Sequence, residues 1–286
     1  MFQGFDGSDT QGIQGKGQVV NKFLEAFREE VEKRKANVFA VAEYCGGRLE
    51  AMQLIRTNPC QNIYSVAKVY VVTAVGLAVD RGLLSTAETV TEILGEDCPE
   101  TYQRVWDRVT VEMLMQHRVP LPKNFLDIDV CDSREFGEDY LAHILKTTVE
   151  TEGGAYPPCY TDASYYLLSR IVEKRTDMGL VDFLWKHLFF PTGCREAAWS
   201  HCPRGHVIGA TGLYIRVEEL VKLGVIYLQG GCWEDTRILS ENWVNTVLQK
   251  GYELKPQVES HVFCKGGMRG QMLMLMPKTG RVVAYQ

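Results

Sequence analysis

Between Ser65 and Gly82 the chain reads Ser-Val-Ala-Lys-Val-Tyr-Val-Val-Thr-Ala-Val-Gly-Leu-Ala-Val-Asp-Arg-Gly, apolar on nearly every face of a helix. A helix of that kind has to be buried on all sides, so the rest of the chain must wrap layers around it. The valines also suit a strand, but about sixteen residues is long for one, and Arg81-Gly82 suits a helix end. As a helix, the run puts Ser65 and Lys68 on one face at i and i+3. A serine hydroxyl is a poor nucleophile until a neighbour takes its proton. A lysine in apolar surroundings can shed its own proton and do so, and a helix N-terminus favours the anion that forms. The plain alternative is a buried helix whose lysine stem lies along apolar surface, and Ser-x-x-Lys alone does not choose between them.

At 286 residues the chain has room for one large domain or two smaller ones, with ample core. Its 45% hydrophobic and 23% charged residues are those of an ordinary globular protein. A formal charge of -5, without a Lys/Arg cluster, argues against a nucleic-acid partner. No apolar run is long enough to span a bilayer and the first residues do not read as a signal peptide, so the expectation is a cytoplasmic chain with a small-molecule substrate and no membrane partner. Oligomeric state is not legible. The nine cysteines are odd in number and show no C-x-x-C, which fits reduced, mostly buried thiols. Cys194, His201, Cys202 and His206 cluster without a zinc spacing, so no metal and no cofactor is assigned.

Residues 1–17 are Gly-, Gln- and Asp-rich and read as a flexible tail. An amphipathic helix is expected from about Val19 to Lys35. Asn37–Tyr44 and Arg48–Ile55 then form two strands of a hairpin around Cys45-Gly46-Gly47. Strand signals are few between Asp80 and Pro203, which implies a mainly helical middle block with a long loop at 120–133. Within it, Pro157-Pro158-Cys159-Tyr160-Thr161-Asp162 is an extended approach to a helix whose start presents Tyr160 and Asp162 to a cleft; the alternative makes Asp162 an N-cap and Tyr160 an aromatic plug. A Gly-rich bend at Gly209 leads into a helix ended by Gly230-Gly231, another helix covers 240–249, and three strands are expected in the runs 261–267, 271–276 and 281–286.

The order Ser65-x-x-Lys68, Tyr160-x-Asp162, Lys265-Gly266-Gly267 resembles the three signature elements of the serine β-lactamase and penicillin-binding protein superfamily, and looks closest to its class C β-lactamase-like branch, which includes esterases and D-amino-acid peptidases. The likeness extends to Arg81-Gly82-Leu83-Leu84, the stretch from Val109 to His117, Tyr165–Lys174, 189–193 and 209–231. It implies an α+β fold: about five antiparallel strands sandwiched by helices in three layers, with an inserted mainly helical subdomain. The expected division is a sandwich lobe of 18–80 and 205–286 and a helical lobe of 81–204. By the same likeness Ser65 attacks a carbonyl, Lys68 and Tyr160 handle its proton, and Lys265 supplies positive charge for a substrate carboxylate. Asp162, Gly266, Gly267 and Met268 line the substrate and oxyanion side, the oxyanion donors being the N–H groups of Ser65 and Met268.

Lys278-Thr279-Gly280 spells the usual third motif literally, but it lies between two apolar runs and reads as a hairpin tip. Two departures stand out. Asp162 replaces the commoner asparagine, which favours a charged Lys68 and shifts the base role toward Tyr160. Gly266 removes a threonine hydroxyl that would help hold a lactam carboxylate. The expected function is a serine hydrolase acting through a Ser65 ester on a lactam, ester or peptide-like amide; the alternative is a catalytically impaired ligand-binding relative.

Overall fold

The computed structural model describes residues 21–149, 156–257 and 261–286; the expected tail at 1–17 lies outside them. Helix α1 (Lys22–Arg34) begins where the Asn21 carboxamide accepts from the N–H groups of Phe23 and Leu24 at 3.0 and 3.1 Å. Strands β1 (Ala40–Cys45) and β2 (Arg48–Gln53) form the expected hairpin. Its two-residue loop, Gly46-Gly47, has φ of 58° and 79°, the left-handed region that tight hairpin turns require and glycine enters without strain. The two-residue β3 (Gln61–Asn62) leads into a 3-10 turn at Tyr64–Val66 and then α2 (Ala67–Asp80), in which every residue from Ala67 to Ala78 is buried. The all-round apolar run is thus the central helix it was read to be, with Ser65 one turn ahead of its regular part.

The middle of the chain supplies α3 (Val90–Leu94), α4 (Val111–Met115), α5 (Tyr140–Lys146), α6 (Ala163–Thr176) and α7 (Leu180–Leu184), the last continued by a π-helical turn at Trp185–Phe189. Helix α3 carries a reciprocal cap between Thr89 and Glu92. Short strands escaped the sequence reading, among them β4 (Ala197–Trp199), inside the block expected to be helical, and β5 (Leu213–Ile215). They join β3 in a small sheet of order β3-β5-β4. The pairing of Asn62 with Tyr214 ties the residues just before Ser65 to those just after the Gly209 bend. Helix α8 (Val217–Leu228), the small hairpin β6 (Cys232–Trp233) and β7 (Thr236–Arg237), and α9 (Glu241–Lys250) follow.

The main sheet closes with β8 (Lys255–Pro256), β9 (Phe263–Gly266), β10 (Met272–Met276) and β11 (Arg281–Tyr285). It has six antiparallel strands in the order β2-β1-β11-β10-β9-β8, where about five were expected. The sixth is an edge pair, Lys255 opposite Cys264, too short to leave a period-two pattern. Lys278-Thr279 lies in the turn joining β10 to β11 and Gly280 is left-handed at φ 61°, as a hairpin tip requires. One face of the sheet is covered by α1, whose Leu24, Phe27 and Val31 pack with Val41 and Val283, and the other by the main core under α8 and α2. The architecture is the β-lactamase/transpeptidase-like α+β sandwich. Among the described residues no helix is long and apolar enough to cross a membrane, and all nine cysteines are unpaired.

Helices α2 and α9 meet at Gly76, where an added Cβ would fall inside the Trp243 indole. Gly76→Ala is therefore expected to lower unfolding free energy by about 1–3 kcal/mol through overpacking. Gly95→Ala, with open space around the new methyl, is expected to change it by less than about 1 kcal/mol. Urea denaturation of the two variants checks the contrast; equal effects would show that close approach at Gly76 is not a packing constraint.

Candidate active site

Lys68 is completely buried, and its Nζ is met by three acceptors: Asp162 Oδ1 at 2.7 Å, the Ala210 carbonyl at 2.9 Å and Ser65 Oγ at 3.2 Å. Three acceptors match the three donors of an ammonium. Burial pulls its pKa down, but the Asp162 carboxylate, then Tyr160 and Glu253, outweigh that and hold it above the ordinary lysine value. Lys68 is thus a fixed cation and donates to Ser65. Asp162 stands at the N-cap position of α6 without capping it, because its carboxylate is turned to Lys68.

Ser65 has a second partner, the Tyr160 hydroxyl, which donates to its Oγ at 2.8 Å. Tyr160 is 37% exposed, so part of it is open to solvent. The amines of Lys68 and Lys265 lie 4.9 and 5.1 Å from the centroid of that ring. The backbone around Tyr160 is anchored from His117 and its neighbours: Cys159 N–H donates to the His117 carbonyl at 2.8 Å, Thr161 N–H to His117 Nδ1 at 3.3 Å, and Asn124 N–H to the Tyr160 carbonyl at 3.0 Å. The His117 and Tyr160 rings lie 4.5 Å apart.

Glycines make the close approaches possible. Gly209, at φ 72°, lies so near the Tyr165 carbonyl that a Cβ would sit 2.6 Å from it, and this contact seats Ala210 over Lys68. Gly267 lies so close to the Ile63 carbonyl that its Cβ would be 2.7 Å away. The end of β9 therefore runs against the Ser65 turn, with Gly266, Gly267 and Met268 at its rim. The Gly267 N–H is taken by the Gln271 carbonyl at 2.8 Å. Tyr64, immediately before Ser65, holds φ 49°, a costly conformation for an aromatic residue.

The sequence reading did not single out Ala210, His117 as a functional group, or Glu253. Glu253 is buried at 2% exposure and binds His117 Nε2 through Oε1 at 2.8 Å and Lys265 through Oε2. Burial pushes its pKa up, but the Lys265 charge and the His117 bond prevail and hold it far below the ordinary carboxylate range. Asp127 and Asp129 place carboxylate oxygens within 4.8 Å of Asp162, and burial, then the Asp162 charge, raises both of their pKa values. Lys68 already occupies Asp162 and repels a cation there, so this corner carries no metal assignment. Cys194, His201, Cys202 and His206 do not converge: Cys202 contacts the Tyr166 hydroxyl at 3.4 Å, His206 contacts Glu173 at 3.0 Å, and Cys194 contacts the Glu196 carbonyl at 3.6 Å.

A central buried helix bearing Ser-x-x-Lys, a tyrosine donating to that serine and a lysine from the facing sheet define a serine β-lactamase-like protein. A family profile described as Beta-lactamase matches residues 25–286, and the chain belongs to that family. It is 24% identical over 255 residues to the 6-aminohexanoate-dimer hydrolase of Paenarthrobacter ureafaciens, covering 77% of this chain and 64% of that relative, so it spans less than two thirds of the relative's length. Among solved structures, a candidate 6-aminohexanoate-dimer hydrolase from Bacillus anthracis superposes with a TM-score of 0.73 at 16% identity, covering 90% of this chain and 75% of that one. The class C β-lactamase of Rhodobacter sphaeroides superposes at 0.64 and 16%, covering 92% of each chain.

The Glu253 environment predicts a pH dependence. Its folded pKa lies below its unfolded value, so between the two the unfolded chain binds more protons and stability rises with pH. Its contribution is complete above the ordinary value of 4.5 and drains as pH falls below it. Urea unfolding across acid pH is expected to show a slope that Glu253→Gln flattens by up to one proton, about 1.4 kcal/mol per pH unit. Identical slopes in the two proteins would remove the charged Glu253 from the account.

Proposed function

We propose that this chain is a serine hydrolase that forms an acyl-enzyme on Ser65 with a small ester, amide or lactam, at a cleft between a sandwich lobe of 18–80 and 205–286 and a helical lobe of 81–204. The observation that carries the reading is the convergence on Ser65 Oγ of the Tyr160 hydroxyl at 2.8 Å and Lys68 Nζ at 3.2 Å.

Because Lys68 is held as a cation, the Tyr160 oxygen receives the Ser65 proton as its own hydroxyl proton passes on to the leaving group. Ser65 Oγ then bonds to the substrate carbonyl carbon and the bond to the leaving group breaks. The leaving oxygen or nitrogen takes the proton from Tyr160, and water reverses the steps to free the acid. The N–H groups of Ser65 and Met268 receive the oxyanion. The Gly267 N–H is spent on the turn, which leaves its neighbour Met268 for that role. Similarity to a 6-aminohexanoate-dimer hydrolase supports hydrolysis as the reaction class.

The second reading is a ligand-binding relative without turnover. It draws on the Lys68–Asp162 pair, which spends both groups on each other, and on Gly266 in place of a hydroxyl. A fluorophosphonate probe with intact-mass detection separates the two: one adduct on the wild type and none on Ser65→Ala supports the hydrolase, whereas retained ligand binding with no adduct supports the alternative. Lys68→Ala and Tyr160→Phe are each expected to lower turnover of p-nitrophenyl acetate by about 10²-fold or more while the fold survives. An unchanged rate would take that residue out of the proton path.

A further inference from the structure

Glu253 joins His117 and Lys265, the two residues packed near the Tyr160 ring, in an arrangement that proton transfer at Ser65 does not itself require. Its two oxygens are divided, Oε1 to His117 Nε2 and Oε2 to Lys265. Because the Thr161 N–H donates to His117 Nδ1, the ring proton sits on Nε2 and is given to Glu253. His117 and Glu253 both hold left-handed backbone, at φ 57° and 60°, a cost that non-glycine residues bear only where the surroundings fix them. Lys265 is itself only 11% exposed at its side chain. A buried ion pair contributes little net stability compared with apolar packing, so its clearest consequence here is electrostatic.

We propose that Glu253 sets the charge preference of the pocket: it commits Lys265 to the protein, so that Ser65 acts on acyl donors whose leaving group carries no carboxylate. The inference rests on the acyl-enzyme reading above and replaces the expectation that Lys265 receives a substrate carboxylate. Each buried amine has its own carboxylate, Lys68 with Asp162 and Lys265 with Glu253, while Asp127 and Asp129 add acidic groups beside Asp162. An incoming carboxylate would lose water and meet a field already balanced or negative, which is discrimination by repulsion. Gly266 offers no hydroxyl to share the load. The competing cation is Arg269, exposed on the turn after β9, whose backbone N–H donates to Gln271 Oε1 at 3.2 Å.

The test compares 3-acetoxybenzoate, with a carboxylate on the leaving group, and its neutral methyl ester, each normalised to its rate with hydroxide. In wild type, kcat/KM for the methyl ester is expected to exceed that for the acid by at least about tenfold. Glu253→Gln, which keeps shape and frees the Lys265 charge, is expected to bring the ratio down toward one. The wild-type comparison stands on its own if that variant does not fold. Equal wild-type values, or a preference for the acid, would overturn the inference, and loss of that preference in Arg269→Ala would assign the carboxylate to the rim. A folded Glu253→Gln that keeps the full wild-type ratio would also overturn it. Absence of Ser65-dependent turnover of both esters and of p-nitrophenyl acetate would instead strike the acyl-enzyme reading, and this inference with it.

Discussion

The ion pair between Lys68 and Asp162 is the interaction on which the site depends. It joins the central helix to the start of α6 across 94 positions of sequence, at 2.7 Å and out of water. Removing either partner would leave a buried charge uncompensated, so the two helices are locked at the spacing the pair dictates. Ser65 is the third member of that lock, and its distance from Tyr160 follows, because Tyr160 lies two residues before Asp162. The asparagine-to-aspartate departure is therefore more than a local exchange. It holds the Lys68 pKa above the ordinary lysine value against the pull of burial.

Electrostatically the cleft is built in matched pairs. Lys68 answers Asp162 and Lys265 answers Glu253, and the two amines lie 4.9 and 5.1 Å from the Tyr160 ring centroid. The matching carboxylates keep the region from carrying a large net charge. His117 links the two halves: its backbone and Nδ1 hold the Tyr160 segment while its Nε2 holds Glu253. The Tyr160 segment and the charge of Glu253 thus meet in one buried imidazole.

Much of this was legible along the chain because it is written in short-range pattern. The run after Ser65 is apolar on all sides, so it had to be a central helix, and twelve consecutive residues of it are buried. Gly46-Gly47 announced the first hairpin, and position between two apolar runs was enough to read Lys278-Thr279-Gly280 as a turn. What failed has a common cause. Strands β3, β5 and β8 are two or three residues long and stabilised by partners elsewhere, so they leave no periodicity. Asp162 fits an N-cap by sequence, and only the buried amine opposite it turns the side chain away.

The sequence by itself determined the helix that must be buried, the spacing that sets serine over lysine, and the order of the three chemical stretches. These follow from side-chain period and backbone preference, which act over a few residues. Only the tertiary structure decided that Lys68 is a cation, that Ala210 is its third acceptor, and that Lys265 is already paired. The first two depend on partners far along the chain, Asp162 and Ala210 lying 94 and 142 positions from Lys68, and the third on Glu253, which His117 holds from 136 positions away. Charge state in a buried site is set by whatever the fold brings within a few ångströms, and local pattern carries no record of it.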